Sequence, residues 1–150
     1  MFTLELMFKN AIQKKVLICG GGIIKFIEYN HTKLIIKKNI SFPINRIMYY
    51  SNYQYNFYYQ RFIYNKNFLK KNKLSFPNYL RFHDPPFFIK SMILAKKFYS
   101  LVNITYYYRL NSPKIMNIRR VIDIYKGIRE SLIFPSQINY INYIMKYYLI

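Results

Sequence analysis

The sequence predicts an α/β domain, on three observations. Segments with helical apolar spacing alternate with short β-branched and aromatic runs, the pattern of mixed layers. At 150 residues and 53% apolar side chains, the chain is long enough for one domain, residues 1–150, with its own core. The longest clean apolar run, Val16 to Ile24, is flanked by Lys15 and Lys25, contains three glycines, and reaches about half of the ~20 residues needed to cross a bilayer.

The first element is a helix over Thr3 to Lys14, with Thr3 as cap, Glu5 in the positive first turn and Leu4, Met7, Phe8, Ala11 and Ile12 on one stripe. Val16 to Cys19 reads as a strand ended or bulged at Gly20-Gly21-Gly22. Ile23 to Ile27 and Lys33 to Ile36 read as two strands joined around Asn30-His31, and residues 39–52 as an irregular connector. Tyr53 to Tyr64 fits a strand or a binding loop. A short helix over Asn65 to Asn72 has Asn65 as cap, and Phe76-Pro77 closes an extended piece. From Asp84 a helix is predicted to about Tyr99, with Phe88, Met92, Ala95 and Tyr99 as its stripe. Ile104 to Leu110 is a strand. Asn117 opens a helix with Ile118, Val121, Ile122, Tyr125, Ile128 and Leu132 inward, and a last helix follows Pro135.

The charge is lopsided. Against 24 Lys and Arg stand 5 acids, a formal net charge of +19, which implies affinity for anionic matter such as nucleic acid, acidic lipid or phosphorylated substrates. The same excess of Lys, Asn, Ile, Tyr and Phe follows from a bias toward codons rich in A and T. Cys19 is the sole cysteine, so a disulfide framework and thiolate metal clusters are excluded, which suits a reducing cytoplasm. The start of the chain, with Glu5, does not read as a secretory leader.

Few residues offer acid/base chemistry. Asp84, in Arg81-Phe-His-Asp-Pro-Pro-Phe-Phe, heads a helix. One reading makes it an N-cap ahead of proline; the other makes it a general base fixed in orientation by the helix start. The three glycines lack the Gly-Lys-Ser/Thr ending of a phosphate loop, and a bulge suits them better. His31 and His83 lie far apart, and only Asp84 adjoins a histidine, so no metal set stands out. Tyr49, Tyr50, Tyr53, Tyr55, Tyr58 and Tyr59 could stack on sugars or bases, or simply fill core and surface.

Four blocks in order, Arg61-Phe-Ile-Tyr-Asn-Lys-Asn-Phe-Leu-Lys-Lys-Asn72, Phe76-Pro77-x-Tyr79-Leu-Arg-Phe-x-Asp84-Pro-Pro-Phe-Phe88, Ala95-Lys-Lys-Phe-Tyr99 and Tyr107-Tyr-Arg109, resemble the later half of bacterial family 2 glycosyltransferases. Val16-Leu-Ile-Cys-Gly-Gly21 is similar to the strand that follows their metal-binding segment. The likeness covers about residues 3 to 133. It implies a partial GT-A, Rossmann-like fold lacking the N-terminal nucleotide-binding half. It also implies a role in cell-surface polysaccharide synthesis. The cysteine usage, the start of the chain and the basic charge make the expected location the cytoplasm, with contact at the inner membrane surface.

The resemblance makes Asp84 the catalytic base, with Arg81, His83 and Arg109 on the substrate side. It implies a nucleotide-sugar donor, a glycan or lipid-linked acceptor, and a divalent metal, Mg or Mn. The family's Asp-x-Asp metal motif is absent, since Asp84 and Asp123 are the only aspartates, and His83 replaces the usual acidic or amide neighbour. The donor-binding half would then be supplied in trans or by a longer native chain. A different class, a basic module binding RNA or acidic lipid without catalysis, rests on the charge alone, with no RNA-binding motif behind it. An inactive remnant is the third reading.

Overall fold

The computed structural model describes residues 2–29, 32–53, 58–110 and 116–137. It is a mixed α/β structure that divides into two compact units. The first comprises Met1–Met48, Gln60–Asn65 and Lys97–Lys114; the second comprises Tyr49–Tyr59, Lys66–Lys96 and Ile115–Ile150.

In the first unit, α1 (Thr3–Gln13) packs on a five-stranded sheet. The strands are β1 (Ile18–Tyr29), β2 (Thr32–Ile40), β3 (Arg46–Tyr49), β4 (Phe62–Tyr64) and β5 (Lys97–Arg109). β1 is central. It runs parallel to β5 on one side and antiparallel to β4 and then β2 on the other, while β3 lies beyond β5. The expected pairing of the two strands around Asn30-His31 is present, with Tyr29 opposite Thr32; the joining residues, His31 included, lie outside the described residues.

The glycines do not end a strand. β1 runs through them, and its register with β5 slips at Gly20/Gly22 and again at Gly22/Ile23, so the bulge reading holds. A side chain at Gly20 would overlap Phe62 and the Arg61 carbonyl, and one at Gly21 would overlap the Asn103 carbonyl. Thr105 seals the bulge: its hydroxyl donates to the Arg61 carbonyl (2.8 Å) and accepts the Gly21 N–H (3.1 Å). Beneath it, Arg61 is fully buried, donates to the Gly21 carbonyl (3.2 Å) and lies over the rings of Phe42 and Phe62. Burial lowers its guanidinium to about 10.

α1 buries Met7, with Leu6 and Ala11 beside it, against Val16, Cys19, Tyr99 and Leu101. Leu4, Phe8 and Ile12, assigned to its inward stripe, are exposed, so the helix is rotated from the expected face. Its cap position is Phe2 rather than Thr3, with no side-chain cap. The helix ends in a left-handed turn on Lys15 (φ 50°), with Lys15 N–H bonded to the Ile12 carbonyl and Val16 N–H to the Ala11 carbonyl. Cys19 sits in this core, and burial pushes its thiol up to about 12.

The supposed connector over 39–52 contains β3. It is held to β5 by Asn45, whose Oδ1 accepts Val102 N–H (2.8 Å), and by Ser100, whose hydroxyl lies 3.0 Å from the Arg46 carbonyl. These are polar side-chain links, which hydrophobic alternation does not register.

In the second unit, α2 (Tyr50–Tyr53), α3 (Lys66–Lys71), α4 (Asp84–Ala95) and α5 (Ile118–Gln137) are helical. Tyr50, fully buried, meets Phe88 of α4 edge-on, with ring centroids 6.5 Å apart. α3 follows Asn65 as expected and ends like α1, on a left-handed lysine, Lys73 (φ 51°). α4 stops at Ala95, short of Tyr99, because Lys96 takes φ 62° and its N–H turns back to the Met92 and Ile93 carbonyls. β5 therefore begins at Lys97 instead of near Ile104.

Asn117 caps α5 as predicted: its Oδ1 accepts Arg120 N–H at 3.0 Å. The predicted face fails in part: Ile128 and Leu132 are half-buried, and Arg119 and Lys126 are exposed as expected. Ile118, Val121, Ile122 and Tyr125 are exposed, whereas Asp123, Gly127, Ser131 and Pro135 are buried. The helix also continues through Pro135 to Gln137, and the remainder of the predicted last helix lies outside the described residues.

Candidate functional site

The site is built on the segment that leads into α4. Asp84 is the first residue of that helix; the cap position is His83, whose side chain makes no capping hydrogen bond. The N-cap reading of Asp84 is thereby corrected. Proline at 86 removes the N–H two residues on, and the remaining Phe87 N–H makes no bond to the Asp84 carboxylate. Among the described residues, the carboxylate is instead left with one neighbour. His83 Nε2 lies 2.8 Å from Asp84 Oδ1, an ion-pair distance, but Oδ1 is buried and accepts no aligned hydrogen bond. His83 Nδ1 is likewise buried without a hydrogen-bond partner. Burial pushes the Asp84 carboxyl above its ordinary range, and the His83 charge only partly offsets that shift.

Three anchors on α5 hold the approach to Asp84. Tyr79 donates its hydroxyl to Glu130, Leu80 N–H donates to Asp123 Oδ2 (2.8 Å), and Phe82 presses its carbonyl and ring on Gly127, where any Cβ would overlap it. Phe82 stands at φ 60°, a left-handed conformation that a bulky residue avoids at a cost of about 1–3 kcal/mol, and the α5 anchors keep it there. Lys90 of α4 closes the set by donating to Glu130 Oε2 (3.1 Å). Burial raises Glu130, yet the bonds from Tyr79 and Lys90 outweigh it, so the carboxyl sits below its ordinary value. The same Glu130 bond lifts the Tyr79 phenol to about 12.

Aromatic rings wall the other side. Phe76 stacks on Phe87 (centroids 4.1 Å, 29° apart) and meets His83 (5.9 Å) and Tyr59 (4.8 Å) edge-on. Of the tyrosine cluster, Tyr50 and Tyr53 are core, Tyr49 is exposed, Tyr58 and Tyr59 are half-buried, and Tyr55 lies outside the described residues. A cavity of about 170 Å³ in the same unit is lined by Lys73, Leu74, Ser75, Pro77, Lys90 and Glu130, and Asp84 does not border it.

Of the residues singled out in sequence, Arg81, His83 and Asp84 share one half-buried segment, and Arg81 forms no ion pair with Asp84. Arg109 belongs to the other unit, at the end of β5, with its guanidinium 5.8 Å from the Phe26 ring centroid. No local rule of the sequence marks Asp123 or Glu130 as supports for this segment. The readable signal was Gly127, one of four glycines in the chain and placed mid-helix, where glycine commonly marks close backbone approach.

No family model, curated protein or solved structure matches the chain. Among the described residues, no helix is long and apolar enough to cross a membrane.

Proposed function

We propose that the chain is the acceptor-side part of an inverting GT-A glycosyltransferase of family 2, with Asp84 as its general base. The sequence blocks between Arg61 and Arg109 support this reading, and one structural observation carries it. The Asp84 carboxylate sits at a helix start, makes no capping hydrogen bond, and is shifted upward by burial. A carboxylate whose pKa is raised by burial is a stronger base than a solvated one.

In this reaction the acceptor hydroxyl gives its proton to Asp84 as its oxygen bonds to the anomeric carbon of the donor sugar. The bond from that carbon to the phosphate oxygen breaks, and the nucleoside diphosphate leaves with the electron pair. One displacement from the opposite face inverts the configuration. His83, with Nε2 2.8 Å from Asp84 Oδ1, partly offsets the carboxylate's charge. The Phe76 and Phe87 rings exclude water from that side, and Arg81 is the cationic group of this segment assigned to substrate phosphates.

A divalent cation, Mg or Mn, belongs to the family's leaving-group chemistry. Among the described residues no three His, Cys, Asp or Glu side chains come together. The residues present do not fit the ion, and no step above runs through it. The nucleotide-sugar and the ion belong, in this reading, to a donor-binding half, and the acceptor is a glycan or lipid-linked glycan at the inner membrane surface.

The test supplies that half to the chain and follows nucleoside diphosphate release and sugar transfer across a panel of nucleotide-sugars. Asp84→Asn should cut transfer by about 10²–10⁴-fold with donor binding intact. Unchanged turnover would remove Asp84 from the role.

A further inference from the structure

α5 turns its apolar side outward. Ile118 is 81% exposed, Tyr125 68%, Val121 52% and Ile122 47%, and at 100° per residue they fall within one arc. Half-buried Ile128 borders that arc, and half-buried Leu132 lies within it. Its opposite side is already committed, through Asp123, Gly127 and Ser131, to the packing of the second unit.

The charges around this face have one sign. Arg119, Lys126 and Arg129 are exposed, whereas the two acids of the helix are withdrawn: Asp123 is buried on Leu80 N–H, and Glu130 is taken by Tyr79 and Lys90. α1 also exposes Leu4, Phe8 and Ile12, but its charged side includes Glu5, ion-paired with Lys9, so it lacks this uniformity.

We propose that this face of α5 is a docking surface for an acidic lipid bilayer, with the helix lying in the plane of the membrane surface. A helix of 20 residues spans about 30 Å, and its aliphatic arc would enter the headgroup boundary while Arg119 and Lys126 meet lipid phosphates. Arg129, inside the arc, has the stem length to lift its guanidinium to the same level. A nucleic acid would satisfy the cations but leave Ile118, Val121 and Ile122 facing water. A second copy would bring Arg119, Lys126 and Arg129 against their equivalents in a chain already at +19. This inference stands apart from the glycosyltransferase reading and survives its failure.

The chain contains no tryptophan, so Tyr125→Trp gives a single indole in the middle of the face, excited selectively at wavelengths where the tyrosines do not absorb. Vesicles of phosphatidylcholine with phosphatidylglycerol should shift its emission to the blue, and brominated acyl chains should quench it. Phosphatidylcholine alone should do neither. In co-sedimentation, the triple change Ile118→Ser, Val121→Ser, Ile122→Ser should weaken binding to the anionic vesicles about tenfold or more.

Three results would overturn the proposal. An emission unmoved and unquenched by anionic vesicles would mean that any binding is charge alone. A blue emission before lipid is added would mean that the face is covered by the chain itself or by a second copy. A larger shift with single-stranded RNA than with lipid would assign the face to nucleic acid. Should the triple variant fail to fold, the tryptophan readout decides by itself.

Discussion

α4 and α5 pack together in the second unit and solve opposite problems. α4 buries nine of its twelve residues, Phe87, Phe88, Ile89, Met92 and Ile93 among them, so nearly its whole circumference is interior. α5 buries Asp123, Gly127, Ser131 and Pro135 and leaves isoleucine, valine and tyrosine outside. The apolar pattern of a helix tells which side is greasy; it does not tell which side is inside. On α5 the inward side was set by what the segment before Asp84 requires: an acceptor for Leu80 N–H, a partner for Tyr79, and room for the Phe82 backbone.

This contrast can be broken by mutation. Phe88→Ala, which empties a fully buried site in α4, should cost about 3–5 kcal/mol by denaturant unfolding. Gly127→Leu should come next. It forces bulk onto Phe82 and should cost about 1–3 kcal/mol or more; under the glycosyltransferase proposal it should also lower turnover by displacing Asp84. If it proves harmless, the α5 anchoring is wrong. Asp123→Ala leaves the Leu80 N–H without its acceptor and should cost about 1–3 kcal/mol. Val121→Ser, on the outer face, should stay within about 0.5 kcal/mol; a large loss there would restore the orientation that the sequence pattern suggests.

The acids of the two helices also part company with pH. Asp84 is raised in the folded protein, so the native state holds its proton more tightly than the unfolded chain. Stability from this group therefore falls as pH rises from its ordinary 3.8 through its raised folded value, and Asp84→Asn should flatten that slope. Glu130 is lowered, so its contribution is present above the ordinary 4.5 and disappears as pH falls through the folded value; Glu130→Gln should remove that acid limb. Unfolding curves of the two variants across acidic pH separate these opposite signs.

Much of the α/β order was readable, because α1, α3 and α4 follow local apolar spacing and Asn117 caps α5, although the caps expected of Thr3 and Asp84 do not form. The helix ends were not. α1, α3 and α4 all stop on lysines in left-handed conformations, Lys15, Lys73 and Lys96, where glycine would have announced the stop. β3 escaped because its attachment runs through Asn45 and Ser100. At the candidate site, Asp84 was conspicuous by the scarcity of acids. Its freedom from capping depended on which residue became the first of the helix, and its supports lie some forty residues downstream, beyond any local rule.

Cys19 carries a practical consequence. A thiol with no exposed surface and a pKa near 12 holds almost no thiolate at neutral pH, so alkylating reagents must wait for the core around Met7, Val16 and Leu101 to open. As the chain's one cysteine, it is a built-in clock for the first unit. Its labelling rate times the opening of that sheet without any added probe, and leaves the second unit silent.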